Sequence, residues 1–215
     1  MPLDPATGAR PAPAFRPRTP VVIGILGGIA AGKSAVAQIF ASHGLRHLDA
    51  DQEARAVATE PTVQRALTAA FGPQVLADGD LDRRALAALV FRDATARTKL
   101  EAILHPRIRA RILAQLAECR QRGDSVLLDA PLLLEGGLIA WCDHVVFVDA
   151  SPAVRAARAS ARGWSPGELA QREAAQAPLA EKRARAGYCI HNDGDLDETA
   201  RQVAALLHEW AARSP

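Results

Sequence analysis

A chain of 215 residues, 49% apolar and with a formal charge of +2, has the size of one α/β domain carrying an insertion. The surplus charge lies in residues 1–20, where Arg10, Arg16 and Arg18 stand against Asp4 alone, so the balanced remainder offers no basic stripe for nucleic acid. Cys119, Cys142 and Cys189 are too far apart for a disulfide framework or a thiolate zinc site, and the lack of a bilayer-length apolar run or an apolar leader predicts a cytoplasmic protein with no membrane partner.

Residues 1–20 hold six prolines and no apolar periodicity, which predicts a disordered extension. Val21 to Leu26 is an apolar run of strand length, and Ser34 to Phe40 reads as a helix with Val36, Ile39 and Phe40 on one face. Leu45 to Asp49 predicts a second strand and Asp51 to Thr59 a second helix. From Pro61 to Arg122 the pattern is largely helical: Thr62–Phe71, Asp82–Phe91, Asp93–Leu104 and Pro106–Arg122, interrupted by a turn-rich stretch from Gly72 to Asp80. That block is too long for a simple crossover and predicts an inserted substrate-binding subdomain. Ser125–Asp129 and His144–Asp149 read as buried strands, with a short helix between them over Leu132–Trp141. Ser151-Pro152 and Ser165-Pro166 each open a helix, as an N-cap serine followed by a first-turn proline. Tyr188–Ile190 predicts a last strand, and Asp195–Ala212 a final amphipathic helix. Strands alternating with helices imply a parallel sheet covered on both faces.

The chemistry starts between the first strand and the first helix. Gly27-Gly28-Ile29-Ala30-Ala31-Gly32-Lys33-Ser34 fits G-x-x-x-x-G-K-[ST], a loop that wraps phosphates with inward-pointing backbone N–H groups at a helix N-terminus. Lys33 is then expected on the phosphates and Ser34 on Mg²⁺. Such a loop serves kinases, ATPases and GTPases alike. The Ras-type guanine motif N-K-x-D is absent, since Asn192 is followed by Asp193.

A kinase also needs a base near the acceptor and mobile positive charge over the transferring group. Asp49 and Asp51 are two apart at the end of the second strand, where open α/β sheets bind ligands. Asp51 is the candidate base; the alternative is that one or both carboxylates cap the following helix. Arg55 pairs with Asp51, holds a substrate phosphate, or is a surface residue. Arg158 and Arg162 are one helical turn apart and offer a cationic cover, or else a solvated face. Other small-molecule phosphate-loop kinases, and nucleotide-binding modules without transfer, share these features.

Along residues 21–210 the chain resembles the dephospho-coenzyme A kinase family. The resemblance is carried by the loop, by Leu48-Asp49-Ala50-Asp51 with Arg55, by His105-Pro106, and by Asp129-Ala130-Pro131-Leu132-Leu133-Leu134-Glu135. Gln176-Ala177-Pro178-Leu179 with Glu181-Lys182-Arg183, and Ile190-His191-Asn192-Asp193-Gly194, complete it in the same order. It implies transfer of the γ-phosphoryl group of ATP to the ribose 3′-hydroxyl of dephospho-CoA, the final step of coenzyme A biosynthesis. The implied fold is a P-loop kinase core, a parallel five-stranded sheet flanked by helices, with a helical substrate-binding insertion and a lid. The implied organisation is a core at 21–60, 123–155 and 187–213, a CoA-binding unit at 61–122 and a lid at 156–186. The implied site has Gly28, Ile29, Ala30, Ala31, Gly32, Lys33 and Ser34 on the ATP phosphates, Ser34 toward Mg²⁺ and Asp51 as base. Arg158 and Arg162 cover the phosphates, and Arg55, His105 and Glu135 lie near the acceptor, His105 being otherwise a helix cap.

The chain also departs from the family pattern. Ala30 and Ala31 replace the usual glycine and serine, Leu26 a frequent threonine, and His191 and Gly187 each an aspartate. If position 30 takes φ > 0, alanine there costs about 1 kcal/mol.

Overall fold

Val22–Gly27 forms β1, and all six of its positions are buried. A strand hidden on both faces takes the central place in a five-stranded sheet of order β2-β5-β1-β6-β7. The partners are β2 (Arg46–Asp49), β5 (Val126–Asp129), β6 (His144–Asp149) and β7 (Tyr188–His191). β1 runs parallel to β5, with Ile25 opposite Asp129, and parallel to β6, with Gly27 opposite Val148; β6 runs parallel to β7, with Asp149 opposite His191. The parallel sheet predicted from the alternating pattern is therefore present, and its central strand leads directly into the phosphate loop.

The computed structural model describes residues 14–77, 80–131 and 133–213. The chain divides into two units, one of Met1–Leu48 with Leu116–Pro215 and one of Asp49–Gln115. In the first, α1 (Lys33–Ser42) and α9 (Leu196–Arg213) bring Val36, Phe40, Val203, Leu207 and Trp210 into one core with Ile23, Ile25, Val146 and Val148 of the sheet. Residues 1–20, expected to be disordered, are described from Ala14 onward. There the Phe15 ring packs against this core, and its N–H donates to the His43 carbonyl at 2.7 Å.

Three helices follow β6. α6 (Pro152–Ala161) starts on the Ser151 hydroxyl, which accepts from the Val154 N–H. α7 (Pro166–Ala174) starts on a reciprocal capping box between Ser165 and Glu168. α8 (Leu179–Ala184) is too short for its periodicity to show in the sequence.

The second unit holds α2 (Ala50–Ala58), α3 (Pro61–Phe71), α4 (Arg83–Arg92) and most of α5 (Ala94–Arg122). Its own core gathers Val57, Val63, Leu67, Phe71, Val75 and Leu86. The described part of the stretch from Gly72 to Asp80 holds more regular structure than its turn residues suggest. It contains a 3₁₀ turn over Pro73–Val75 and two short antiparallel strands, β3 (Leu76–Ala77) and β4 (Asp80–Leu81), anchored by a fully buried Val75.

Two further expectations are corrected. The break expected at Pro106 is absent, because α5 continues through it. A proline costs the helix one N–H and crowds the carbonyl four residues back. Apolar contacts on both sides, from Ile103, Leu104 and Ile108, hold the two halves in line, and Arg107 Nη1 donates to the Ile103 carbonyl at 2.8 Å. The helix expected over Leu132–Trp141 is instead a run of turns ending in a 3₁₀ segment, Leu138–Trp141; Leu132 lies outside the described residues. Gly137, at φ 67°, takes a conformation that no right-handed helix can propagate. Among the described residues, no helix is long and apolar enough to cross a membrane.

Candidate active site

Between β1 and α1 the chain turns through Gly28–Gly32. The Ala31 N–H donates to the Gly28 carbonyl at 3.2 Å, closing the turn, and Lys33 Nζ reaches back to the carbonyls of Gly27 and Gly28 at 3.2 and 3.1 Å. Ala30 lies at φ 60°, the one non-glycine residue with positive φ among the described residues. Gly32 precedes α1 at φ 93°. Among the described residues, the backbone N–H groups of Ile29, Ala30 and Gly32 donate to no protein acceptor. Inward donors at a helix N-terminus form a cradle for an anion. Ser34 is exposed in the first turn of α1.

The loop is held from behind. The Ala31 carbonyl accepts from Arg158 Nη1 at 3.1 Å and from Asn192 Nδ2 at 2.8 Å, and Arg158 Nη2 donates to the Asn192 carbonyl at 2.8 Å. Arg158 thus touches the loop through the Ala31 carbonyl. Arg162 caps the C-terminus of α6 and is exposed, with its guanidinium 5.8 Å from the Trp164 ring centroid. Arg155, one turn earlier on α6, is 8% exposed and ion-pairs with Glu173 of α7. A Cβ on Gly28 would stand 3.1 Å from its Nη1, so the missing side chain at position 28 makes room for that guanidinium.

Glu135 follows β5. Its Oε1 accepts from the Ala177 N–H at 2.7 Å and lies 4.0 Å from Lys182 Nζ. Lys182 is 2% exposed and donates to Gln176 Oε1 at 2.7 Å; burial pushes its pKa down, and the nearby Glu135 carboxylate partly opposes this. One carboxylate and one buried ammonium therefore tie the 175–182 segment to the turn after β5. Leu179 of that segment would stand 3.2 Å from a Cβ on Gly28, so α8 lies against the loop.

The second unit carries the other expected residues. Asp49 ends β2 and caps α2, its Oδ1 accepting from the N–H groups of Asp51 and Gln52 at 2.8 and 3.3 Å. This settles the choice left open for Asp49 in favour of capping. Asp51, in the first turn of α2, and Arg55, one turn on, are exposed. His105 is exposed in mid-α5 and does not cap a helix, because the helix does not begin there.

Motif reading missed two residues of the first unit. Asp129 ends β5 directly beside β1, and its Oδ2 lies 3.7 Å from His47 Nε2. Its signal was the strand end itself: in phosphate-loop proteins an aspartate following an apolar strand is a ligand for the metal. Asn192 is the other, 1% exposed; its role depends on contacts across the chain that no local pattern shows. The cysteines stay outside the chemistry. Cys142 packs against Gly24, and burial pushes its thiol up to about 12, which keeps it un-ionised.

Residues 21–198 match the family model for dephospho-CoA kinase. The chain is 42% identical to a dephospho-CoA kinase of Geobacillus kaustophilus over 89% of this chain and 98% of that one. It is 44% identical to a dephospho-CoA kinase of Deinococcus radiodurans over 93% and 96%. Among solved structures, TT1252 from Thermus thermophilus is similar with a TM-score of 0.76 and 38% identity, covering 89% of this chain and 98% of that one.

Proposed function

The chain belongs to the dephospho-CoA kinase family, and from that premise we propose how its residues divide the work of moving the γ-phosphoryl group of ATP to the ribose 3′-hydroxyl of dephospho-CoA. The observation that carries this reading is the turn between β1 and α1, where the N–H groups of Ile29, Ala30 and Gly32 have no protein acceptor and Lys33 Nζ folds back onto the carbonyls of Gly27 and Gly28. Gly28, Ile29, Ala30, Ala31, Gly32 and Lys33 hold the β- and γ-phosphates. The Asp51 carboxylate takes the proton of the 3′-hydroxyl as that oxygen attacks the γ-phosphorus. The bond to the β–γ bridging oxygen breaks, and ADP leaves with the electron pair. Arg158 and Arg162 add positive charge near the transferring group.

The donor set suits Mg²⁺, since the Ser34 hydroxyl in the first turn of α1 and the Asp129 carboxylate at the end of β5 are hard oxygen ligands. Ser34 and Asp129 would hold such an ion, which would supply neutralising charge for the phosphate oxygens. Arg55 and His105, both exposed in the 49–115 unit, are the proposed contacts of dephospho-CoA, for which that helical unit serves as the holder. Glu135 acts through the 175–182 segment that it anchors, which we read as part of a lid spanning 156–186. The reading includes a cytoplasmic location and no nucleic-acid partner.

The test is steady-state turnover with a panel of alcohol acceptors, in wild type and in Asp51→Asn. Dephospho-CoA is expected to be the acceptor that drives ADP formation. Asp51→Asn is expected to lower kcat by about 10²–10⁴, the usual contribution of a positioned base, with little change in KM. Near-normal kcat in the variant removes Asp51 from the role, and nucleotide binding without transfer to any alcohol removes the kinase reading.

A further inference from the structure

Asn192 lies just beyond β7, 161 positions from the loop residue it touches. Its surroundings leave its side chain one arrangement. The Ala31 carbonyl can only accept, so the amide nitrogen of Asn192 must be the atom facing it at 2.8 Å. Asn192 Oδ1 then faces Thr199 Oγ1 at 3.1 Å, and Thr199, in the first turns of α9, is 1% exposed. The Thr199 hydroxyl also lies 3.1 Å from the Asp195 carbonyl, and its one proton is shared between the two oxygens. The Asn192 main chain is pinned as well: its N–H donates to the Asp149 carbonyl at 2.8 Å, and its own carbonyl accepts from Arg158. The neighbouring Asp193 carboxylate accepts from the Ser151 N–H at 2.6 Å.

We propose that Asn192, set by Thr199, is a positioning residue for ATP: it fixes the Ala31–Gly32 peptide plane so that the Gly32 N–H points into the phosphate cradle. A trans peptide carries its N–H opposite its C=O. Two donors on the Ala31 oxygen, one from Asn192 and one from Arg158, therefore turn the Gly32 N–H away from both, toward the concave side. The close approach also explains Gly32: besides needing φ 93°, the position has no room for a side chain, since a Cβ there would collide with Asn192 Nδ2. Arg158 brings charge to this lock. Asn192 brings orientation, because its buried amide cannot turn over without setting its Oδ1 against the Ala31 carbonyl oxygen.

The inference rests on residues 27–34 holding the phosphates of ATP, and it is tested by ATP binding alone, without acceptor or turnover, so that failure of the transfer reading does not decide it. Equilibrium ATP affinity is measured on the full chain for Thr199→Val, Thr199→Ser and Asn192→Asp, well below each variant's melting temperature. Thr199→Val is expected to weaken binding by about tenfold, the size of one lost hydrogen bond, and Thr199→Ser to restore it. Asn192→Asp keeps the shape but removes the donor to Ala31, and is expected to weaken binding at least as much. In turnover assays the loss should appear in KM for ATP and leave KM for dephospho-CoA in place. Wild-type affinity in Thr199→Val or in Asn192→Asp overturns the proposal, as does equal weakening by Val and Ser, which would mark a packing effect. If Thr199→Val does not fold, the near-isosteric Asn192→Asp decides alone.

Discussion

At the scale of single residues, Ala30 shows how a sequence can raise a question that only backbone geometry answers. Two alanines in the loop pose the issue of whether position 30 takes positive φ, and it does, at 60°. The side chain is also 4% exposed, so three effects compete. The left-handed conformation costs an alanine about 1–2 kcal/mol. Replacing it with glycine would recover that cost but lose about 0.8 kcal/mol of buried methyl and add about 0.5–1 kcal/mol of chain entropy. Alanine therefore stands near a balance at this site. A β-branched side chain does not, since it meets the same φ with more bulk in a buried place. Ala30→Val is expected to lower unfolding free energy by about 2–4 kcal/mol in urea titrations, and Ala30→Gly to shift it by less than about 1 kcal/mol. The loop and Lys33 were legible from the motif because their chemistry is local in sequence. Asn192 was not, because its partners are brought to it by the sheet and by α9.

At the scale of elements, capping and apolar periodicity described most of the chain. Ser151 and Ser165 open their helices as their sequence context predicts, and Asp49 caps α2. What local pattern could not weigh was packing. A proline preceded by histidine reads as a boundary, yet α5 runs 29 residues through Pro106 because the apolar residues on each side are committed to one core. The local cost of the proline persists inside the longer helix. Pro106→Ala is therefore expected to stabilise the protein by about 1–3 kcal/mol, read from denaturant midpoints, as the restored N–H outweighs the freer unfolded chain. An unchanged or lower midpoint would mean that the helix depends on the proline at this point. The short elements escaped for a simpler reason. α8 has six residues and β3 and β4 two each, too few for a period to emerge.

At the scale of the whole molecule, the alternation of strands and helices was plain in the sequence, whereas the order β2-β5-β1-β6-β7 was not, because strand neighbours are set by pairing between segments far apart in the chain. Global stability should carry a pH signature from the start of β6. His144 stacks on Trp210 with centroids 4.4 Å apart and an interplanar angle of 1°, and Tyr188 meets both rings edge-on. Burial holds its pKa below the ordinary 6.5, against a smaller upward pull from Asp143. The unfolded chain therefore takes up this proton first, and the contribution is complete above pH 6.5 and is lost as pH falls toward the lower folded value. Melting temperatures recorded from pH 7.5 downward should fall more steeply in wild type than in His144→Phe, which keeps the stack without titrating. Parallel curves would show that the ring's protonation is not coupled to folding.

The lock on the Ala31 carbonyl also has a consequence in time. A ribosome delivers Ala31 before Asn192 and Thr199, with 161 positions between Ala31 and Asn192. At ordinary elongation rates that gap is on the order of ten seconds or more. Until then the Ala31 carbonyl lacks its Asn192 donor, so if Asn192 positions the loop as proposed, a nascent chain should hold nucleotide more weakly before α9 has formed.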